Sequence, residues 1–415
     1  MPRIASHPWL TFDIDMRRAT PELWLKLGEA RSKCSHLAGV PLLPQVAKDL
    51  HAVFLAKGVH ATTAIEGNTL SEDQVMQLLK KEEVRDGVAD YAKNEVRNIL
   101  DAANLMLEEI ERDGPKPLTV AEIKDYNRLV LRDLVVEDHV LPGEFTPVQV
   151  GVPGYRGAPP QECPDLVQKL CDWLNGPTFA PEDQEELGLA YGLIKAVMAH
   201  LYLVWIHPFG DGNGRTARLL EVRILLEAGV PSAAAHLLSN HYNHTRPEYI
   251  RQLADASRNG GNVIPFIQYA VAGFVTQIRD QIETIKAQQW EVSWVNYIHE
   301  QFMTLDGAAS KRRRDLVLEL SKQKGFVPRR EIRNLSAKVA THYAGKTART
   351  VDRDLTEVVA MGLVERTDQG VRALKETVLQ FLPRGRRGEK SAQLKKASEL
   401  NEVNHQLSLD LLQPA

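Results

Sequence analysis

The apolar stretch between residues 187 and 206 constrains the fold of this chain more than any other segment. It is apolar on every helical face, which predicts a long helix from Glu185 to Ile206 that is buried on most sides. Lys195 and His200 interrupt the stretch, so we expect it not to span a membrane. It leads into a glycine-rich loop at 207–214, after which another helix is predicted to start at Arg215. The sequence therefore predicts a mainly α-helical protein with this loop between two of its helices.

The composition excludes several classes of protein. The 415 residues are 43% hydrophobic and 25% charged, which rules out a disordered, collagen-like or disulfide-stapled chain. This length is enough for more than one core. The first residues lack the apolar run of a signal peptide, and the three cysteines form no C-x-x-C pair. We therefore expect a cytoplasmic protein with reduced thiols, no zinc site and no membrane association.

Helix-start and helix-stop signals recur along the chain as far as about residue 299. Pro21 stands in the first turn of one predicted helix, and Gly67 and Asn68 close another that begins near Leu43. The runs 69–72 and 119–122 have the form of capping boxes that open helices. Further helices are predicted at 95–111, 165–175 and beyond residue 215.

A basic module is predicted near the C-terminus. Residues 311–390 carry 20 Lys and Arg against 10 Asp and Glu, although the whole chain has a net charge of -3. Predicted helices, the last from Thr347 to Met361, precede β-favouring runs at 363–367 and 371–374, which is the outline of a winged helix-turn-helix. Arg349 and Arg353 would then lie on a recognition helix and contact DNA. The alternative of an ordinary solvated basic surface stays open.

The loop at 207–214 has the composition of an anion-binding site. Gly210, Gly212 and Gly214 let the backbone approach a ligand closely and turn N–H groups toward it. They directly precede a predicted helix start, where unpaired N–H donors and the helix dipole favour anions. Arg215 and Arg218 lie three residues apart on one face of the first turn and supply planar cationic donors that suit phosphate.

An acid and a base complete this loop. Asp211 supplies a hard oxygen ligand that could hold Mg²⁺ against phosphate oxygens, and His207 is able to take a proton near neutral pH. A calcium loop is disfavoured because Arg215 stands at its fifth position, and a Walker loop because no Gly-Lys-Ser/Thr follows. Together these residues predict attack by a hydroxyl on a nucleoside triphosphate.

The string H-P-F-G-D-G-N-G-R-T-A-R at 207–218 resembles the full signature of the Fic family, H-P-F-x-[DE]-G-N-G-R-x-x-R. The resemblance implies an all-helical core with a hairpin flap, and transfer of AMP from ATP to a protein hydroxyl (AMPylation). By position, His207 would deprotonate a Ser, Thr or Tyr hydroxyl, Phe209 would anchor the loop and Asp211 would bind Mg²⁺. The implied ATP-binding residues are Gly210, Gly212, Asn213, Gly214, Arg215 and Arg218, with both arginines on the outer phosphates.

A second motif stands N-terminal to the signature. Residues 62–67, T-T-A-I-E-G, resemble the family's inhibitory motif, [ST]-x-x-x-E-[GN]. In the family this glutamate reaches the second signature arginine, here Arg218, and displaces the γ-phosphate. Thr62 and Glu66 lie four residues apart on one helix face, and a carboxylate there would occupy the donors that ATP needs. The resemblance thus implies an inhibitory role for Thr62, Glu66 and Gly67; a surface glutamate at an ordinary helix end is the alternative.

Residues 141–160 are rich in proline and glycine around a β-favouring run, which predicts a small hairpin or flap. The segment 141–145 and the run Val148, Gln149 and Val150 resemble the family's target-docking hairpin, which binds a peptide by strand addition. Thr146 departs from the arginine that is common there, which bears on how the flap is anchored.

Three residues after the signature stand where relatives often line the nucleobase pocket: Asn240, Tyr242 and Tyr249. Aromatic residues on a helix face also pack in cores, so a structural role is the alternative.

These patterns predict four parts: an N-terminal helical region with the inhibitory helix (1–112), a Fic catalytic core (113–300), a winged helix-turn-helix (308–378) and a polar tail (379–415). The predicted function is an autoinhibited protein adenylyltransferase that uses ATP and Mg²⁺ and modifies a protein partner or itself. The alternative from another class is a DNA-binding transcription regulator whose Fic core senses a nucleotide. De-AMPylation or transfer of another phosphate-bearing group ranks behind both, because the signature arginines suit a triphosphate. The sequence does not indicate the oligomeric state, and a homodimer stays open because relatives often pair.

Overall fold

The computed structural model describes residues 6–42, 44–82, 89–152, 155–180 and 187–379. Within these ranges helices predominate, and the β-structure consists of two small antiparallel hairpins and isolated bridges, so the mainly α-helical fold is confirmed. The chain divides into two compact units, Met1–Ile282 and Glu283–Ala415. The division into four parts stays a prediction, and the polar tail from residue 380 onward lies outside the described residues.

The first unit is built from helices that surround one apolar core. They are α1 (Pro21–Ala38), α2 (Pro44–Ile65), α3 (Glu72–Leu79), α4 (Asp90–Asp113), α5 (Val120–Val130), α6 (Cys163–Leu174), α7 (Gly188–Ile206), α8 (Asn213–Glu227), α9 (Leu237–His244), α10 (Arg246–Arg258) and the first part of α11 (Ile264–Gln301). Helix α7 packs along α8, while α2 packs on α9 and α5 packs on α8. This arrangement brings the end of α2 and the start of α8 to the same region of the unit.

Helix α7 is buried as its uniform apolarity predicts. Among the described residues it is the one helix long and apolar enough to cross a membrane by composition, and 78% of its apolar window is buried inside the protein. Even His200 has no exposed surface. Helix α7 is therefore the central helix of the core in this unit.

Capping side chains set the starts of two helices. Thr119 caps α5: its Oγ1 accepts from the Glu122 N–H at 3.2 Å, and Glu122 Oε2 accepts from the Thr119 N–H at 2.8 Å, which confirms the predicted box. The box predicted at 69–72 is wrong, because the capping box forms two residues later, at 71–74. Helix α3 begins at Glu72, so Ser71 is the residue that caps it, and Ser71 forms the box with Gln74.

The predicted hairpin forms, but its strands lie later than expected. Strands β1 (Gly151–Val152) and β2 (Tyr155–Arg156) pair antiparallel, whereas the run 148–150 is not a strand. Thr146 Oγ1 donates to the Val148 carbonyl at 2.9 Å and accepts from the Val148 N–H at 3.2 Å. Because this local turn uses both backbone groups of Val148, that residue cannot pair with β2.

The second unit contains the last part of α11 and a smaller core. Its other elements are α12 (Ala308–Ser321), a 3₁₀ helix (Arg329–Asn334), α13 (Ala337–Tyr343), α14 (Ala348–Ala360), β3 (Val364–Thr367), β4 (Gly370–Ala373) and α15 (Glu376–Leu379). Strands β3 and β4 form the expected antiparallel hairpin. Helix α13 was not predicted; Ser336 caps it by accepting from the Val339 N–H at 3.3 Å. The assignment as a winged helix-turn-helix stays a prediction.

Candidate active site

Two residues with left-handed backbone conformation set the path of the signature loop, residues 207–214. His207 follows α7 with φ 53° and ψ 56°, and Gly212 precedes α8 with φ 76° and ψ 5°. The Asn213 side chain closes the loop between them, since its Oδ1 accepts from the Phe209 N–H at 3.0 Å and its Nδ2 donates to the Phe209 carbonyl at 2.7 Å. Phe209 is buried at 1% exposure. The Asn213 amide, predicted to bind ATP, is thus engaged within the loop itself.

The glycines of the loop leave space for neighbouring groups. A Cβ atom on Gly210 would lie 3.0 Å from Val140 Cγ2, and one on Gly214 would lie 2.5 Å from Glu66 Oε1 and 3.1 Å from an Arg218 nitrogen. Close approach therefore requires glycine at 214 in particular.

His207 has the tautomer of a general base. Its Nδ1 lies 3.2 Å from the Val204 carbonyl, and because a carbonyl only accepts, Nδ1 carries the proton and Nε2 keeps its lone pair. Burial lowers the pKa of His207, while the Val204 carbonyl, Glu66 and Asp211 oppose that shift. The neutral imidazole that proton abstraction needs is therefore favoured at neutral pH.

Glu66 and Arg218 form a direct ion pair, with 2.5 Å between Glu66 Oε1 and Arg218 Nη2. Arg218 is buried, and its Nε donates to Thr62 Oγ1 at 2.7 Å while Nη2 also donates to the Thr62 carbonyl at 3.0 Å. Burial disfavours the Glu66 carboxylate, yet Arg218 and Arg215 outweigh burial and hold the pKa of Glu66 below its ordinary value. Gly67 supports the turn after α2 with φ 100°. The structure thus brings Thr62 and Glu66 of the inhibitory motif into contact with the second signature arginine, and Gly67 shapes the turn that follows them.

Arg215 has an acidic partner that the sequence did not single out. Its Nη1 donates to Glu95 Oε1 at 2.6 Å, and its Nη2 lies 3.1 and 3.2 Å from the two oxygens of Asp211. Glu95 lies on α4 and is 3% exposed. Burial raises the pKa of its carboxyl, an effect that Arg215 and a hydrogen bond from Asn68 oppose. An acid within an amphipathic helix gave no signal that it would be buried against the signature loop.

Asp211 offers a carboxylate ligand of the kind that a magnesium ion bound to phosphate would use. Its side chain is 43% exposed, and its Oδ1 accepts from the Gly212 N–H at 2.6 Å. Within the described residues, no group of three or more His, Cys, Asp or Glu side chains could hold a metal ion without further ligands. One accessible carboxylate fits Mg²⁺, which usually takes one or two carboxylates together with substrate phosphates and water.

The flap segment is anchored to the end of α7 and to the loop. The Thr146 N–H donates to the Pro208 carbonyl at 2.9 Å, the Ala158 N–H donates to the Ile206 carbonyl at 2.9 Å, and the Tyr155 hydroxyl donates to the Trp205 carbonyl at 2.6 Å. Thr146, which replaces the common arginine, therefore anchors the segment through its backbone.

The three predicted docking residues, Val148, Gln149 and Val150, precede β1 on this flap. Val148 is 45% exposed. Gln149 Nε2 donates to the Gly157 carbonyl at 2.9 Å, and the Val150 carbonyl accepts from the Gly157 N–H at 2.9 Å. The backbone groups of Val148 thus lie in a local turn with Thr146, while Val150 pairs with Gly157, the residue directly after β2.

Asn127 is a second residue that the sequence reading missed. It has no exposed surface, and its Nδ2 donates to the Asp211 carbonyl at 2.9 Å and to Thr216 Oγ1 at 3.3 Å. Its Oδ1 accepts from the Gly143 N–H at 2.9 Å. One side chain on α5 therefore connects the signature loop to the segment that precedes the flap.

Tyr242 is buried in the core, as in the structural alternative, and its assignment to a nucleobase pocket stays a prediction. Tyr242 has no exposed surface, its hydroxyl donates to Glu221 at 2.9 Å, and its ring stacks on Tyr249 with 4.7 Å between centroids. Tyr249 is also buried, and its hydroxyl pairs with His200 Nε2 at 2.8 Å. Asn240 is 9% exposed, and its Oδ1 is buried without a hydrogen-bond partner. Both tyrosines thus belong to the core, because α9 and α10 pack against α7 at this point.

Comparison with known proteins agrees with this geometry. Residues 117–225, which include the signature loop, match the Fic/DOC family. The chain is 30% identical over 262 residues to the protein adenylyltransferase Fic-1 of Caenorhabditis elegans, which covers 62% of this chain and 46% of that protein. It is 32% identical over 211 residues to the protein adenylyltransferase Fic of Culex quinquefasciatus, which covers 51% of this chain and 38% of that protein. The chain thus spans less than half the length of either relative.

Solved structures show the same fold. A fragment of C. elegans Fic-1 (residues 134–508 of that protein) superposes with a TM-score of 0.51 at 25% identity, over 64% of this chain and 74% of the fragment. A Fic family protein from Desulfovibrio desulfuricans superposes with a TM-score of 0.50 at 20% identity, over 93% of this chain and 100% of that structure. The signature loop, the helices on either side of it and these likenesses together identify the chain as one that contains a Fic domain.

Proposed function

We propose that this chain is a protein adenylyltransferase that transfers AMP from ATP to the hydroxyl of a Ser, Thr or Tyr side chain, and that Glu66 inhibits it. The observation that carries this proposal is the position of His207. Its Nε2 lone pair is available because Nδ1 is held by the Val204 carbonyl at 3.2 Å, and it stands directly before an anion-binding helix start. The names of the two relatives support the same chemistry.

In the proposed reaction the hydroxyl oxygen attacks the α-phosphorus of ATP. A P–O bond forms, the bond between the α-phosphorus and the β-phosphate oxygen breaks, and pyrophosphate leaves. The hydroxyl proton passes to His207 Nε2. Since the base needs only to remove this proton, most of the acceleration comes from positioning and charge neutralisation.

The start of α8 supplies the neutralising groups. The backbone N–H of Gly214 lies at the positive end of the helix dipole, and the buried guanidinium of Arg218 supplies planar donors for phosphate. Asp211 is the residue that would hold Mg²⁺, which when bound offsets phosphate charge and helps pyrophosphate to leave.

Inhibition follows from competition for Arg218. Glu66 Oε1 lies 2.5 Å from Arg218 Nη2, so a phosphate oxygen and the Glu66 carboxylate cannot use that donor together. The depressed pKa of Glu66 keeps this competitor charged at neutral pH. Removing the carboxylate would therefore raise the affinity for ATP and release the enzyme.

Intact-protein mass spectrometry after incubation with Mg-ATP tests this function. We would compare the wild type, Glu66→Gly, Glu66→Gly/His207→Ala and Glu66→Gly/His139→Ala, where His139 is a half-exposed histidine outside the loop. We expect an AMP adduct on the chain or on added protein, strongest in Glu66→Gly, unchanged by the His139 substitution and lost with His207. An adduct that survives loss of His207 would refute the role of the base.

A second candidate function, DNA binding by the second unit, is favoured by two residues of α14. Arg349 and Arg353 lie one turn apart and are exposed, and neither forms an ion pair within the described residues. By contrast, Asp354 on the buried face of the same helix accepts from Arg312 at 2.6 Å and from Arg313 at 2.8 Å. The basic residues left for a partner are thus on the exposed face, as a recognition helix requires.

Salt-dependent binding of the full chain to duplex DNA tests this candidate. The Arg349→Ala/Arg353→Ala variant should lower the slope of log K against log salt by about 2, which is about 1 for each lost phosphate contact. Arg330→Ala, an 85% exposed control in the same unit, should leave the slope unchanged. A slope that is equal in all three proteins would exclude α14 as the DNA-binding helix.

A further inference from the structure

The acid that pairs with Arg215 belongs to neither sequence motif, and its two oxygens have different partners. Glu95 Oε1 accepts from Arg215 Nη1 at 2.6 Å, and Oε2 accepts from Asn68 Nδ2 at 2.7 Å. Asn68 directly follows Glu66 and Gly67. One buried carboxylate therefore connects the turn that carries Glu66 to the first arginine of α8.

The Asn68 side chain is fully engaged in this connection. Besides its bond to Glu95, Nδ2 donates to the Ala92 carbonyl at 3.0 Å, and Oδ1 accepts from the Leu70 N–H at 3.0 Å. These bonds join the turn to α4 on one side and to the lead-in of α3 on the other. Loss of the Glu95 oxygen would leave the turn with fewer contacts to α4. The position of Glu66, which the turn carries, would then be less well fixed.

Arg215 depends on Glu95 in a comparable way. Its Nη2 is shared with Asp211, and its Nε is buried without a hydrogen-bond partner. Without Glu95, Asp211 is the carboxylate left within hydrogen-bond reach of this guanidinium among the described residues. The guanidinium would then keep its contact with Asp211, the residue that would hold Mg²⁺, but Nη1 would lose the carboxylate that fixes its position.

We propose that Glu95 is a positioning residue with two effects: it holds Nη1 of the Arg215 guanidinium, which also contacts Asp211, in place for nucleotide binding, and through Asn68 it fixes the turn that presents Glu66 to Arg218. The proposal rests on the proposed binding of ATP at this site. The proposal also predicts the direction in which ATP affinity changes when Glu95 is removed. A nearby acid that merely repelled phosphate would weaken ATP binding, so its removal would tighten binding, whereas a positioning acid has the opposite effect on removal.

Calorimetric titration with Mg-ATP in the Glu66→Gly background tests the first effect, because that background removes the inhibitor. We expect Glu95→Ala to weaken ATP affinity by about 10-fold to 100-fold, the range for loss of a group that orients a binding residue. Glu95→Gln keeps an acceptor for Arg215 and should recover part of this loss.

Glu227→Gln is the matched control, since Glu227 pairs at 3.1 Å with Arg223, an arginine of the same helix that lies outside the loop. Melting temperatures are recorded for every variant. A merely structural Glu95 would lower the melting temperature, as the control does, and leave ATP affinity unchanged. Unchanged or tighter binding in both Glu95 variants would overturn the proposal; the glutamine variant gives this answer even where the alanine variant does not fold.

A double-mutant cycle in ATP affinity tests the second effect. Asn68→Ala should raise the affinity by about 3-fold or more while Glu66 is present, and should leave it unchanged after Glu66→Gly, because the turn then presents no competitor. An equal change in both backgrounds would overturn the link between Asn68 and Glu66.

The outcomes also separate this proposal from the proposed function. ATP binding without AMP transfer by Glu66→Gly would defeat the transferase and leave the Glu95 comparison intact. If Glu66→Gly transfers AMP and the Glu95 substitutions leave its ATP affinity unchanged, only the positioning role of Glu95 would be defeated. A Glu66→Gly chain that binds no ATP would defeat both.

Discussion

Replacing Asn127 with alanine removes the side chain that ties the signature loop to the segment before the flap. Three hydrogen bonds disappear, two of 2.9 Å to the Asp211 carbonyl and the Gly143 N–H and one of 3.3 Å to Thr216. Each contributes about 1 kcal/mol, and the buried Gly143 N–H and Asp211 carbonyl are left without this partner, at about 1–3 kcal/mol each. Part of that cost overlaps with the lost bonds, so we expect the free energy of unfolding of the first unit to fall by about 3–5 kcal/mol.

Chemical denaturation and Mg-ATP titration of the Glu66→Gly chain measure both consequences. Asn175→Ala is the matched control, since the Asn175 amide bridges both backbone groups of Leu118 at 2.9 and 2.8 Å outside the site. We expect the control to lose about 2 kcal/mol for its two bonds and to keep its ATP affinity, whereas Asn127→Ala also binds ATP more weakly. A loss below about 1 kcal/mol, or ATP affinity equal to the control's, would refute the reasoning.

Two further outcomes follow from burial. Because burial lowers the pKa of His207, its base form persists on the acid side of the ordinary histidine value. The rate of AMP transfer by Glu66→Gly should therefore stay constant down to about pH 6.5 and fall only below it. A rate that already halves above that pH would contradict the assignment of His207 as the base. A Cβ on Gly192 would lie 2.2 Å from Ala228 Cβ, while one on Gly188 of the same helix meets nothing within 4 Å. Denaturation should therefore show Gly192→Ala less stable by about 1–3 kcal/mol and Gly188→Ala within about 1 kcal/mol of the wild type; equal effects would be inconsistent with tight packing of α7 on this side.

Much of the candidate site could be predicted from the sequence, because most of its residues lie close together along the chain. The signature loop needs glycines between a helix end and a helix start, and Gly212 with φ 76° occupies the position that this geometry demands. The pairing of Glu66 with Arg218 was expected only from the family resemblance, since the two residues are 152 apart along the chain.

Other features depended on tertiary contacts that the local sequence could not indicate. Tyr242 stands on α9 with nothing in its local sequence to separate a pocket residue from a core residue, and the packing of α9 and α10 against α7 buries it completely. The strand start moved to Gly151 because the Thr146 hydroxyl captured the backbone of Val148.

The sequence alone determined the helical class, the glycine-rich loop with its histidine and two arginines, and the capping of α5, because periodicity, glycine placement and capping depend on residues close along the chain. Only the tertiary structure decided which acids share the arginines. Glu95 lies 120 residues from Arg215, and Asn127 lies 84 residues from Asp211. A buried acid and a solvated one look alike within an amphipathic helix, and the difference arises when another helix covers the carboxylate and supplies the donors that pair with it.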